Sequence, residues 1–393
     1  MNRSGRVQSA LAFVVLIGIV SLFADANYEG GRSVAGPYLL VLGITPALLG
    51  IASGAIDFFQ YLGRLIGGRW ADRSGHPWHV LVLGYILNLF ALPALVLTHQ
   101  LLGALVLLLL ERLGRGLRNP VKSSLLTQAG DELGHGRVFG LYEALDQTGA
   151  VLGPLFVGFW LLRHSLRMTF ATLLVPALLA MLGLWVANRY RLPAPSNGRR
   201  PGPIAQVSGS AETRIRRFRI WAATIAAASG TYLFIGYVLI AQHHWSDAEV
   251  AGGFALAMAA DGVGGLFLGV LYDRIGFQSA YVFPVALAVS IALIFWGQSW
   301  LVWVGVGTWG LQLGFSETLI PAMFGQIIPR ESRNLHFGSL GFLTGLTGLL
   351  GVGIMGVLDA LHPLWTPAWT LTLSVIALYL MIQYPWDEPR ASG

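Results

Sequence analysis

The sequence predicts an all-α membrane protein: twelve transmembrane helices forming two pseudo-symmetric six-helix bundles, with both termini cytoplasmic. Three observations predict it. Of 393 residues, 55% are hydrophobic and 11% are Asp, Glu, Lys or Arg, under half the roughly 25% charged content of a soluble domain. Twelve apolar windows reach the length of about 20 residues that a helix needs to cross a bilayer. Motifs of the first half recur in the second. The 50 glycines and 13 tryptophans fit the same class, since Gly is frequent inside membrane helices and Trp at their interfaces.

The spans fall at residues 9–30, 46–68, 79–98, 101–119, 138–160 and 168–188, then 219–241, 249–271, 279–298, 301–321, 336–358 and 365–385. Span 1 follows Arg3 and Arg6 and ends near Ala24-Asp25-Ala26, the outline of a cleaved signal peptide. The apolar spans behind it predict a retained helix instead. One gap is long. Residues 189–218 include Pro193, Pro195, Pro201, Gly202 and Pro203, and eight arginines lie from Arg189 to Arg219 against one acid, Glu212. That composition predicts a flexible, basic, cytoplasmic linker between an N-terminal bundle at 1–188 and a C-terminal bundle at 219–393. With a cytoplasmic N-terminus, only Arg32, Arg163 and Arg167 sit at outer ends and Arg64 and Arg112 fall within spans, as the positive-inside rule requires.

Span 2 runs into Gly68-Arg-Trp-Ala-Asp72-Arg73-Ser-Gly75, and span 8 into Gly269-Val-Leu-Tyr-Asp273-Arg274-Ile-Gly276, an offset of 201. Phe139-Gly140, Gly153 and Gly158 match Phe337-Gly338, Gly351 and Gly356 at an offset of 198. Six helices per half make the repeat parallel, about an axis along the membrane normal. Several functions are excluded. There is no cysteine for a disulfide, thiol nucleophile or Cys-ligated metal. Lys122 is the single lysine, preceded by Asn119-Pro120-Val121, so no P-loop and no ATP-driven pump is built into this chain. No H-E-x-x-H or G-x-S-x-G motif occurs, and no enzyme, cofactor or metal centre is expected. The net charge of +6 reflects cytoplasmic helix ends rather than a nucleic-acid surface.

These marks resemble the major facilitator superfamily of secondary transporters, and the resemblance covers the whole chain. Gly68 to Gly75 resembles its loop 2–3 signature, though His76-Pro77 stand where basic residues are usual. Arg112 with Gly114 and Gly116 resembles the span 4 signature of proton-coupled members. Gly149-Ala-Val-Leu-Gly153-Pro154-Leu-Phe-Val-Gly158 resembles the span 5 signature of antiporters, with looser glycine spacing. The resemblance implies a proton-coupled, inner-membrane transporter of a small solute, working as a monomer by alternating access, with efflux antiport favoured. A proton symporter and a transport-inactive sensor remain alternatives. It also implies a cavity lined by spans 1, 2, 4, 5, 7, 8, 10 and 11. Spans 3, 6, 9 and 12 contain no Asp, Glu, Lys or Arg, as lipid-facing helices should, because a mid-membrane charge costs roughly 2.5–3.5 kcal/mol.

Asp25, Glu29 and Arg32 form one stripe on span 1. Asp25 is placed in the outer half, and Glu29 and Arg32 near the outer surface. Glu111 and Arg112 lie near the midplane of span 4, with Glu111 and Arg115 spaced i, i+4. Asp25, Glu29, Glu111 and Arg112 are the candidates for proton coupling. Alternatively, Glu29 and Arg32 only pair at the membrane edge, and Arg112 is half of a static ion pair. Asp57, Arg64, Glu143, Asp146, Tyr232, Asp261 and Glu317 are candidates for the substrate cavity. Asp57 and Arg64 stand about 10 Å apart along the helix and need partners elsewhere. The excess of acids over bases suggests a cationic, zwitterionic or amphipathic solute. Gly68, Asp72, Arg73, Arg115, Arg118, Asp273 and Arg274 are candidates for a cytoplasmic lock, with Asp72 accepting from Arg115 and Arg118. Spans 2, 5, 8 and 11 hold 22 of the glycines, which predicts moving interfaces of 2 with 11 and 5 with 8. Gly149, Gly153, Gly158, Gly345 and Gly348 are their expected contacts. In the loop at His243, His244 and Asp247, a solvated turn is favoured over a metal site.

Overall fold

The computed structural model describes residues 3–190, 209–328 and 333–383. Among these residues every regular element is helical. The first half contributes α1 (Arg3–Val41), α2 (Pro46–Ser74), α3 (Pro77–Ala91), α4 (Leu101–Leu133), α5 (His135–Leu161), α6 (Leu166–Thr172) and α7 (Leu174–Ala187). The second contributes α8 (Gly209–Ala228), α9 (Tyr232–His243), α10 (Asp247–Ile275), α11 (Val282–Trp296), α12 (Trp300–Ile327), α13 (Arg333–Leu361) and α14 (Trp365–Gln383).

Two boundaries correct the sequence reading. Span 1 does not stop at residue 30, because Gly30 and Gly31 are packing sites rather than helix ends. A Cβ at Gly30 would press on Gly153 and Val157, and one at Gly31 on Leu92 and Leu173. The helix therefore continues to Val41, and Asp25 falls near the middle of the apolar stretch Val7–Val41. In the second half, α8 begins at Gly209, inside the stretch expected as linker. Residues 191–208 lie outside the described residues.

Among the described residues, six stretches are long and apolar enough to cross a membrane: Val7–Val41, Leu166–Tyr190, Glu212–His243, Asp247–Trp296, His336–Leu361 and Trp365–Gln383. The sequence leads one to expect twelve, and the shortfall has physical reasons. Asp247–Trp296 joins two expected spans, α3 is short, and α4 carries Glu111, Arg112, Arg115 and Arg118 along its length.

The chain forms two compact units. The first comprises Met1–Ile44, Ala55–Gly198 and Leu239–Ala255. Its apolar core gathers Phe13, Ile17, Leu81, Tyr85, Leu126 and Leu184. The second comprises Thr45–Gly54, Arg199–Val238 and Leu256–Gly393, around Phe218, Trp221, Phe283, Met323 and Phe324. The units follow the sequence halves except for two short segments, each of which clusters with the other half.

The repeat is visible in the packing register. A Cβ at Gly153 would strike the carbonyl of Ala26, and one at Gly351 the carbonyl of Ala227. Gly116 meets the Gln60 carbonyl and Gly314 the Asp261 carbonyl; Gly63 meets Leu113, and Gly264 meets Leu311. All three pairs of contacts repeat at the offsets of 201 and 198 seen in the sequence. The close approaches need glycine because small residues let helix backbones touch. The loop motif also has a backbone reason. Gly75 and Gly276 close α2 and α10 at φ of 67° and 62°, a left-handed turn that glycine adopts without strain.

One feature breaks the symmetry. Residues 229–231 interrupt the rod between α8 and α9, where α1 is continuous. Ser229 donates back to the Ile225 carbonyl at 2.9 Å, and Thr231 Oγ1 accepts from Phe234 N at 3.3 Å. Ser-Gly-Thr thus offers the backbone local alternatives to a helix. Three donors meet the freed carbonyls. Trp369 Nε1 reaches Ala227, Thr370 Oγ1 reaches Ala228 and Trp309 Nε1 reaches Gly230, each at 3.0 Å.

Candidate functional site

The charged residues of the first unit converge on facing sides of α1, α2, α3, α4 and α5. Spacings of three and four put Asp25, Tyr28, Glu29 and Arg32 on one face of α1. On α4, Glu111, Arg115, Arg118 and Lys122 repeat at the same steps, with Arg112 beside them. As α1 advances from Asp25 to Glu29, α4 retreats from Arg118 to Arg115. Arg118 Nη2 lies 3.9 Å from Asp25, and Arg115 Nη1 lies 3.5 Å from Glu29. Glu29 also meets Arg32 at 3.5 Å. The guanidinium of Arg32 lies 5.6 Å from the Phe254 ring. Tyr28 stacks under Arg115 at 4.0 Å and Tyr85 under Arg118 at 4.5 Å, so aromatic faces hold cations that carboxylates reach only loosely.

A second cluster joins α2, α3 and α4. Arg112 lies 3.3 Å from Asp57 and 3.5 Å from Glu111, and donates to Gln60 Oε1 at 3.3 Å. Asn88 donates to Glu111 Oε1 at 2.7 Å. One guanidinium thus serves two carboxylates on two helices. A third cluster lies along α1, α4 and α5. Asp146 accepts from Ser21 Oγ and from the Tyr142 hydroxyl, both at 2.5 Å. Lys122 donates to the Tyr142 hydroxyl.

These positions answer the sequence expectations unevenly. Asp57 finds its partner on another helix, Arg112. Arg64 stacks on its neighbour Tyr61 at 5.5 Å. Glu29 is buried among cations rather than sitting at the outer edge, a consequence of the longer α1. Arg115 does not pair with Glu111, and neither Arg115 nor Arg118 belongs to a lock with Asp72. Both turn into the protein toward α1, and Arg118 is only 1% exposed. Asp72, Arg73, Asp273 and Arg274 lie exposed at the ends of α2 and α10, and Gly68 has only Pro120 within 4.0 Å of an added Cβ. On α5, Asp146 faces the cluster while Glu143 lies on an exposed face. In the second unit, Tyr232 is fully buried against Trp309, Asp261 is buried on α10, and Glu317 lies on an exposed face of α12.

The glycines also divide differently from expectation. Gly149 and Gly153 face α1, at Leu22 and Ala26. Gly158 faces α10, with an added Cβ 3.2 Å from the Ala248 carbonyl. Gly348 faces Ala226 of α8 at 3.8 Å, and Gly345 is buried. The contact of α13 with α2 is made instead by Gly356, against Pro46 and Gly50.

Sequence reasoning missed Ser21, Tyr142, Lys122, Tyr28, Tyr85 and Asn88. The available signals were the lone lysine and the i, i+4 spacing of Tyr142 and Asp146. It also overstated the acidic balance. Asp25, Glu29, Asp57, Glu111 and Asp146 are answered by Arg32, Arg112, Arg115, Arg118 and Lys122. The repeat shows how unusual this is. Asp25, Glu29, Asp57, Glu111, Arg112, Arg115 and Arg118 correspond to Ala226, Gly230, Met258, Trp309, Gly310, Leu313 and Ser316. The second bundle closes the same register without a charge at any of these positions.

Chemically, an arginine shared by two acids can release one of them to take a proton when the helices shift. Comparison with known proteins agrees in class. The sequence matches the family profile of the Major Facilitator Superfamily over residues 9–313. It is 30% identical over 350 residues to the uncharacterized protein Rv2265 of Mycobacterium tuberculosis, covering 86% of this chain and 85% of that protein. It is 26% identical over 200 residues to the multidrug resistance protein MdtH of Escherichia coli, covering 51% and 47%. The fold is similar to the crystal structure of the nucleoside transporter NupG, with a TM-score of 0.72 at 12% identity over 94% of this chain and 98% of that one.

Proposed function

The chain belongs to the Major Facilitator Superfamily and is a membrane transporter of a small molecule rather than an enzyme, and from this premise we propose a proton-coupled secondary transporter working by alternating access. The observation that carries the proposal is Arg112 between Asp57 and Glu111. Two carboxylates, Glu111 buried and Asp57 part-exposed, facing one cation retain a net negative charge, which a proton neutralises. Asp25 and Glu29, paired with Arg118 and Arg115, extend the same chemistry along α1. Opening the packing between α1, α2 and α4 exchanges an arginine partner for a proton, so that protonation and conformation become linked.

The pairing of four acids with four arginines, with Asp146 and Lys122 bridged through the Tyr142 hydroxyl, favours a zwitterionic or amphipathic solute over a simple cation. A dipolar ligand inserts between paired charges without leaving either one alone. The likeness to MdtH and the glycine series of α5 support efflux antiport. In this reading twelve helices cross the inner membrane, both termini are cytoplasmic, and the monomer is the working unit. Asp72 and Arg73, with Asp273 and Arg274, form the cytoplasmic lock. Asp261 and Glu317 line the solute path.

Reconstituted protein under an imposed pH gradient, acid outside, tests the reading. Efflux of solute from the lumen in exchange for entering protons is expected, and it should be lost in Arg112→Ala. Proton-driven uptake would make the protein a symporter. No flux with any zwitterion, amine or amphipath would make it a sensor.

A further inference from the structure

The third cluster contains a complete receptor for an ammonium ion, and the chain supplies the ion itself. Tyr142 is 6% exposed and Ser21 fully buried. The carboxylate of Asp146 is oriented by both hydroxyls, at 2.5 Å each. Lys122 Nζ donates to the Tyr142 hydroxyl and lies 4.5 Å from the centre of the same ring. Carboxylate, hydroxyl and aromatic face are what a primary ammonium, with three donors and one charge, is recognised by. The surrounding charged and titratable groups are Asp25 and Tyr28 of α1, Tyr85 of α3, and Arg115 and Arg118 of α4.

We propose that Ser21, Tyr142 and Asp146 form a subsite for a primary ammonium group, held in this conformation by Lys122 and taken over by the amine of a transported solute during the cycle. The proposal rests on the transport reading above and narrows its substrate class to primary amines and amino zwitterions.

Two further observations favour exchange over a structural strut. The first is the repeat. Ser21, Lys122, Tyr142 and Asp146 correspond to Ala222, Ile320, Leu340 and Thr344. Ala222 and Leu340 lie in the apolar core of the second unit, and Ile320 packs against it. The bundle therefore closes well at these positions with aliphatic side chains. Burying an ammonium and a carboxylate bridged by a hydroxyl is often neutral or unfavourable for stability by comparison. The second is the choice of base. Of 25 basic residues one is lysine, and it stands here. Arginine would offer a planar fork, whereas lysine offers the same compact ammonium as an alkylamine. The exchange is a substitution of one ammonium for another, with no change in net charge.

Lys122→Ala in the full-length protein tests the proposal, with propylammonium chloride as the probe for the missing part of the side chain. Thermal unfolding of Lys122→Ala should rise saturably with propylammonium. Half-saturation should come at least tenfold below any response of the unaltered protein. Sodium and tetramethylammonium, which lacks N–H donors, should give no such rise, and adding Asp146→Asn should abolish it. A missing response, or one that survives Asp146→Asn, overturns the subsite. So does a failure of both Lys122→Ala and Lys122→Ile to fold, because it makes Lys122 a strut. Proton-driven flux of any solute with no propylammonium response overturns the subsite and spares the transport reading. A propylammonium response with no flux under any gradient does the reverse.

Discussion

Gly356→Ala should change how often two helix ends meet while leaving the fold intact. An added Cβ would lie 2.5 Å from the carbonyl oxygen of Pro46, 2.7 Å from Gly50 Cα and 2.9 Å from Gly50 N. Ordinary contact begins near 3.4 Å, so α2 must retreat by about 1 Å. All three atoms are backbone, and no side chain can swing aside. Overpacking of this kind costs about 1–3 kcal/mol. At 1.4 kcal/mol per tenfold, that disfavours conformations with these ends joined by roughly 5- to 150-fold. The chain has no cysteine, so spin labels placed at Leu48 and Leu361, both exposed, report without background. Their distance distribution should move to longer values and transport should slow. Gly338→Ala is the control on the same helix, since nothing lies within 4 Å of its added Cβ. A Gly356→Ala protein with the distance distribution of the unaltered chain refutes the argument.

Three further outcomes are expected. Arg112→Ala should abolish gradient-driven transport while folded protein remains in the membrane, as read by flux alongside gel filtration; full coupled transport would remove Arg112 from the mechanism. Asp25→Asn, which fixes the protonated shape, should make solute affinity insensitive to pH between about 5 and 8, checked by binding titrations across that range. An unchanged wild-type profile would leave Asp25 structural. Asp72→Asn should lengthen label distances between the cytoplasmic ends of α2 and α13 and lower transport, with little change in affinity within each state; an unaltered distribution rejects the lock.

The helices, the internal repeat of packing contacts and the need of Asp57 for a distant partner were legible in the sequence because they depend on apolar length and local spacing. The ion-pair assignments were not. An i, i+4 rule joins Glu111 to Arg115 on an isolated helix, but α1 brings Glu29 and Tyr28 to Arg115. Both acids are buried, and Glu111 is already engaged by Arg112 and Asn88, which leaves Arg115 to Glu29. Lys122 read as an ordinary cytoplasmic-side base because it follows span 4 by only three residues. Its role becomes visible only when α5 presents Tyr142 and Asp146 to it. The length a bilayer needs bounds span 1 at residue 30, a measure blind to the packing of Gly30 and Gly31 that carries α1 on to Val41.

The interruption at residues 229–231 gives the second bundle a mechanical property the first lacks. A continuous rod such as α1 transmits a tilt along its whole length, so its two ends move in opposite senses. Where α8 gives way to α9, that transmission stops. The indoles of Trp309 and Trp369 and the hydroxyl of Thr370 hold the carbonyls of the gap. All three come from α12 and α14, so the joint is anchored on one side only. Bending there strains three hydrogen bonds rather than a helical turn, so α9 can change its angle to α8 without unwinding either helix.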